Sequence, residues 1–308
     1  MGITVRKIVT LLKRTYADWS EDKASRLAAA LAYYTALSLA PLLVIIVAVL
    51  SLVFGDQAAR GQLVTQFGGL LGQQGATVVE SVLASSRGTS SGVLATIVGV
   101  IVLLVGASGV FGELQDALNT IWEVKPRPGR GLRGVIKDRF FSFTMVMGVA
   151  FLLLVSLVIT AALTALGSLF GGSFGALPIL WQAINQIVSF AVTTGIFALI
   201  FKVVPDVKIP WRDVWVGALT TAALFTLGKY LIGLYLGRGT ATSAYGAAGS
   251  LVAMLIWVYY SAQILFFGAE LTQVYATLHG SRVVPTANAV PMTDEARAQE
   301  GLGQPVAH

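Results

Sequence analysis

The sequence predicts an all-α, polytopic membrane protein with six transmembrane helices. Apolar residues make up 56% of the chain and charged residues 12%, with a mean hydropathy of +0.77. A soluble domain carries about 25% charged residues. The lysines and arginines also alternate by segment. Of 21, 17 fall in residues 1–30, 113–139, 202–213 and 272–308, and three in 55–91, 167–178 and 237–248. Basic loops stay on the cytoplasmic side, so both termini are expected there. The net charge of +6 is then a topology signal, and no nucleic-acid partner is implied.

Residues 1–28 form an amphipathic basic segment. Ile3, Ile8, Leu11, Leu12 and Trp19 offer apolar contacts, and Arg6, Lys7, Lys13 and Arg14 can meet anionic headgroups. The same residues also suffice as a plain topogenic flank. Met1–Ser20 has no apolar core followed by a cleavage site, so a signal peptide is not expected.

The membrane domain is expected over residues 29–280. Its first span, about 31–54, contains Pro41, which removes the bond to the Leu37 carbonyl and favours a kink. Tyr33, Tyr34, Thr35 and Ser38 put hydroxyls in its inner half, and anchoring in an aromatic belt explains at least one of the tyrosines. The extracytoplasmic insert 55–91 reads as two short amphipathic helices. Leu63, Phe67, Leu70 and Leu71 mark one and Val78, Val79, Val82 and Leu83 the other, with a break near Gly72–Gly75. Arg60 and Glu80 argue against a re-entrant pair.

The second span, 92–111, carries Gly99, Gly106 and Gly109, followed by Gly112, which permit close helix approach. Pro126, Pro128, Gly129 and Gly131 then stop any helix. The third span is 140–166. The fourth, 179–201, has a polar stripe of Gln182, Asn185, Gln186, Ser189 and Thr193 at helical spacing. The fifth, 214–236, contains Lys229. The sixth, 249–271, has a second stripe: Tyr259, Gln263, Phe266, Glu270 and, one turn on, Gln273. Its other side, Leu251, Met254, Leu255, Val258 and Leu265, suits lipid or apolar neighbours. Residues 281–308, polar and proline-containing, are expected to be a disordered cytoplasmic tail.

The chain has no cysteine and two histidines, which excludes disulfides, thiolate metal sites and multi-histidine sites. No cofactor or metal is expected. No phosphate loop, G-x-S-x-G elbow or H-E-x-x-H occurs, so the chain is not expected to be an enzyme. An ionisable side chain inside a span is a functional candidate by default. Lys229 lies about level with Trp257, which offers a cation–π contact; snorkelling to the outer interface also accounts for it. Glu270, near the cytoplasmic end of its helix, reads either as a relay or gate residue or as a partner of loop cations. Glu113 and Asp116 can share that level as cytoplasmic gate residues. Tyr34, Gln182, Asn185, Gln186, Lys229, Tyr259, Gln263 and Glu270 are the candidates to line a path. If the two stripes face one another they form a discontinuous polar path; as packing glue they join helices by hydrogen bonds. Both readings bury these faces away from lipid.

Three blocks resemble the YihY/BrkB family of bacterial inner-membrane proteins, once labelled ribonuclease BN. They are AALAYYTALSLAP at 29–41, GASGVFGELQDALNTIW at 106–122 and YGAAGSLVAMLIWVYYSAQILFFGAELTQVYA at 245–276. The last is the most specific, and the likeness covers about residues 15–280. The resemblance implies six transmembrane helices with cytoplasmic termini in the inner membrane. It also implies an envelope role, with serum resistance and transport of lipids or other amphiphiles associated with members. Nothing in this sequence supports the nuclease label. The expected function is transport of a lipid, another amphiphile or a small solute, with membrane lipids as partners and an amphiphilic or anionic substrate. The alternative is a non-transporting envelope scaffold whose small-residue faces allow a homo-oligomer or an envelope protein partner.

Overall fold

The computed structural model describes residues 5–85, 109–127, 177–237, 249–279 and 284–302. The third expected span and nearly all of the second lie outside the described residues. Among the described residues, three helices are long and apolar enough to cross a bilayer, with qualifying windows at Gln186–Val203, Trp211–Ile232 and Leu251–Leu278. They correspond to the fourth, fifth and sixth expected spans.

Helix α1 (Val5–Glu21) is amphipathic. It leaves Ile8, Val9, Leu12 and Tyr16 exposed beside Arg6, Lys7 and Lys13, the pattern of a helix that lies in the bilayer interface. Lys23, in the left-handed region with φ 52°, turns the chain into α2 (Ala24–Phe54), which continues through Pro41. After Gly55, whose φ of 78° suits glycine alone, residues Asp56–Ser85 form α3. Arg60 Nη1 donates to the Leu83 carbonyl at 3.0 Å, although a straight helix would hold those residues about 35 Å apart. The element therefore bends back on itself, yet it is one helix through Gly72–Gly75 and not the two short helices with a break expected there. Its limbs bury Ala59, Leu63, Val79 and Leu83 against Leu43 and Val47 of α2 and Met254 further on.

A helix over residues 109–121 (α4) is followed by strand β1 (Val124–Pro126). Then come α5 (Leu177–Val203), β2 (Val207–Lys208), α6 (Trp211–Gly237) and α7 (Gly249–Leu278). Helix α7 is the central element, packed on α1, α2, α3 and α6. Of the side expected to suit lipid or apolar neighbours, Met254 and Leu265 are buried against apolar neighbours, and only Leu251 is strongly exposed. An aromatic ladder joins α5 to α6 to α7: Phe197 meets Phe225 edge-on at 5.6 Å, and Phe225 meets Trp257 at 5.8 Å.

The seam between α6 and α7 is built by glycines. A Cβ on Gly217 would lie 1.7 Å from Thr272 Oγ1, and one on Gly268 would lie 1.8 Å from Thr221 Oγ1. Each threonine folds its hydroxyl back onto the glycine carbonyl of its own helix, at 2.7 Å in both cases, so no polar hydrogen is stranded in the seam. The glycines of the second span behave differently. A Cβ on Gly109 would make ordinary contact with Tyr34 at 3.5 Å, and one on Gly112 would meet nothing. Close approach among the described residues thus belongs to the fifth and sixth spans.

The tail also departs from expectation. Residues 284–302 are ordered: β3 (Val284–Pro285) pairs antiparallel with β2, β4 (Ala289–Pro291) pairs with β1, and helix α8 (Asp294–Gln299) follows. Thr293 caps α8 by accepting the Ala296 amide. Composition pointed to disorder because the segment has little apolar surface of its own. Its order comes from edges and charges offered by the rest of the fold.

Replacing Gly268 or Gly217 by alanine is expected to destabilise the protein by about 1–3 kcal/mol through overpacking. Gly112→Ala serves as the control, and thermal unfolding in detergent micelles reads the difference.

Candidate functional site

The polar face of α7 runs inward from a cleft to an acidic cluster. Gln263 is half-buried, and Phe266, Glu270 and Gln273 are buried. The Oε1 atoms of Gln263, Glu270 and Gln273 are enclosed and have no hydrogen-bond partner among the described residues. Glu270 is 1% exposed. It lies between Gly268 and Thr272, so the tight seam with α6 fixes its backbone.

Glu270 is in electrostatic reach of Asp22, Asp18, Glu123 and Arg297. These come from the α1–α2 junction, the end of α4 and α8. Arg297, 3% exposed, is the cation at their centre. Its Nη2 donates to Asp22 Oδ1 at 2.8 Å and lies 3.6 Å from Glu21 Oε1; its Nη1 lies 3.5 Å from Glu123 Oε1. Glu123 and Lys23 are the non-glycine residues with positive φ among those described, at 53° and 52°. Both left-handed turns, which L-residues rarely adopt, flank this cluster. Burial pushes the Asp22 carboxyl from its ordinary 3.8 up to about 7; Arg297 pulls the other way, and Glu123 and Glu21 add to the rise. Desolvation outweighs the ion pair here, as it can for enclosed charges.

Below the cluster α4 is tied to the α5–α6 loop. Gln115 Nε2 and Asn119 Nδ2 both donate to Asp206 Oδ2 at 3.1 Å, and the Asp206 amide donates back to Asn119 Oδ1 at 2.8 Å. Lys202 donates to the Ile209 carbonyl and stands 5.5 Å from the Trp211 ring.

At the other end of the α7 face, Gln263 borders a cleft of about 320 Å³ between α1, α6 and α7. Tyr16, Trp19, Leu227, Leu231, Tyr260 and Phe267 supply most of its apolar wall. Tyr16, Leu227 and Leu231 are also exposed on the outer surface, so the cleft opens sideways.

The structure separates several of the predicted site residues. Gln263 and Glu270 share the buried face, whereas Tyr259 is 36% exposed. Gln186 and Ser189 of α5 are exposed and Thr193 half-buried, and α6 packs on both α5 and α7. The two stripes therefore do not meet there, and burial of the α5 stripe from lipid is not what those residues show. Gln182 and Asn185 lie on α5 with side chains outside the described set. Lys229 stands 5.5 Å from the Tyr230 ring; Trp257, its expected partner, is taken by Phe225. Tyr34 is partly exposed near Gly109. Glu113 is half-buried and Asp116 exposed on α4, while Glu123 reaches the cluster two residues past that helix. Asp22, Glu123 and Arg297 were missed because each looks like an ordinary loop charge in sequence.

Bilayer-length helices around a central helix with an enclosed carboxylate define an integral membrane protein. The sequence pattern of the Virulence factor BrkB family matches residues 15–292, and the chain belongs to that family. Curated relatives are named UPF0761 membrane protein. One from Psychrobacter sp. (strain PRwf-1) is 28% identical over 280 residues, covering 89% of this chain and 50% of the relative. One from Pseudomonas paraeruginosa is 30% identical over 252 residues, covering 81% and 59%. One from Acinetobacter baylyi is 23% identical over 277 residues, covering 90% and 63%. The chain spans about half to three-fifths of the length of these relatives. No solved structure matches significantly.

The raised Asp22 pKa has a sign that can be tested. Between about pH 4 and pH 7 the folded chain keeps a proton that the unfolded chain releases, so this residue lowers stability as pH rises through that window. Asp22→Asn is therefore expected to gain on wild type in Tm at about pH 8 relative to about pH 5. An equal Tm difference at both values would place the titration elsewhere.

Proposed function

We propose that this protein is a transporter that moves a lipid or other amphiphile, or a small solute, across or along the bacterial inner membrane. The observation that carries the reading is the buried α7 face. Side-chain acceptors inside a membrane helix are expensive unless something complements them, and those of Gln263, Glu270 and Gln273 have no partner among the described residues. The face starts at a sideways apolar cleft and ends at a charged cluster. An acyl or alkyl chain suits the cleft, and the polar part of the same molecule suits the face beyond Gln263. Basic α1 beside the cleft offers a landing surface for anionic headgroups. Lys229, half-buried on α6, serves an anionic group at the outer interface. Both termini lie in the cytoplasm on this reading, following the distribution of lysine and arginine. No catalytic step is involved, and the driving force is an ion gradient, a partner or the substrate's own gradient.

The exposed Gln186 and Ser189 on a membrane-length helix favour a second reading, an envelope scaffold or homo-oligomer in which α5 is a protein-facing surface.

Reconstitution in liposomes with fluorescent anionic and zwitterionic lipids separates the two. Glu270→Gln is expected to lower translocation by about tenfold or more while the melting profile is retained. A folded variant with wild-type flux, or a wild type that moves none of the lipids or small solutes offered, would put the scaffold first.

A further inference from the structure

Residues 284–302 form more than a terminal decoration. We propose that this segment is a releasable latch over the inner mouth of the α7 polar face, with Arg297 as a tethered cation seated among the acids. What the latch gates rests on the transport reading above; that it opens and closes does not.

Three observations converge on it. The first is the seat. Arg297 is buried between Glu21 and Asp22 from the α1–α2 junction and Glu123 from the end of α4. Asp18 and Glu270 complete the charged surroundings of the same enclosure. A guanidinium presents its donors in a planar fork that several carboxylates can share, so a mobile helix can carry the neutralising charge for fixed ones.

The second is the weakness of everything else that holds the segment. Its strands pair over only two and three residues. Its buried apolar side chains among the described residues are Ala289, Ala296 and Leu302. Other ties are peripheral and polar: Lys23 Nζ donates to the Gly301 carbonyl, and Arg26 Nη2 to the Glu300 carbonyl at 3.1 Å. The Met292 amide donates to the Glu123 carbonyl at 2.7 Å and the Thr286 amide to the Asp206 carbonyl at 2.8 Å. Elements with little apolar burial open at lower free energy than a core helix, and α7 is the core helix here.

The third is position. The latch touches both left-handed turns, Lys23 and Glu123, and the hub residue Asp206, so it bridges the α1–α2 junction, α4 and the α5–α6 loop. Seated, it brings Arg297 within electrostatic reach of Glu270 on the inner part of α7. The family match stops at residue 292, so α8 and Arg297 lie beyond the matched pattern.

The absence of cysteine makes the test direct. Gln273→Cys is introduced into the full chain in nanodiscs, with and without Arg297→Glu, and labelled with a charged, water-soluble thiol reagent. With both proteins melting cooperatively, Arg297→Glu is expected to raise the labelling rate about fivefold or more; a smaller rise overturns the latch. If the variant does not fold, hydrogen exchange on the unaltered protein decides. Amides of 289–302 are expected to exchange at least about tenfold faster than those of 262–274, and comparable protection overturns the proposal. Flux in liposomes keeps the two readings apart. Faster labelling, with no transport by the unaltered protein, leaves the latch and removes the transporter. Unchanged labelling with transport in the wild type does the reverse.

Discussion

The glycine–threonine exchange between α6 and α7 is the constraint on which the rest of this structure depends. Gly217 meets Thr272 and Gly268 meets Thr221, so the backbones approach too closely for a Cβ at either glycine, while each hydroxyl is satisfied within its own helix. Lipid offers apolar side chains no hydrophobic reason to associate, and small residues that bring backbones together take that role. Because Glu270 sits between Gly268 and Thr272, the same seam decides that a carboxylate is carried into the interior.

A buried acid brought in by packing must either meet a compensating charge or stay neutral. Near Glu270 the cation is Arg297, which pairs with Glu21 and Asp22 at the α1–α2 junction and with Glu123 past α4. Removing one partner from such an arrangement costs far more than the pair contributes net, because the remaining charges stay enclosed. The raised pKa of Asp22 shows which effect prevails. The left-handed Lys23 and Glu123 persist beside the cluster because surrounding structure over-determines strained backbone.

The apolar cleft and the acidic cluster are opposite in chemistry and joined by one helix face. Gln263 stands at the first and Glu270 at the second, two turns apart on α7. An amphiphile has the same division within one molecule. The exposed apolar side of α1, set beside its lysines and arginines, repeats the same division on the protein's surface.

The sequence alone determined that this is a helical membrane protein, because hydropathy over about 20 residues and the placement of basic loops are local properties. The amphipathic α1, the long helices of the last three spans and the shared face of Gln263 and Glu270 were legible for the same reason. The paired G-A-x-x-T strings at 217–221 and 268–272 were a readable signal for the seam, since only their repetition on consecutive spans suggests that they face each other. What tertiary structure alone decided is which faces meet. It turned Gln186 and Tyr259 outward, gave Trp257 to Phe225 instead of Lys229, and made an ordered latch of a tail whose composition reads as disordered. A helical period shows which residues share a face but not what lies opposite. Arg297 and Asp22, 275 residues apart, have no local signature of a bond that only the closed fold creates.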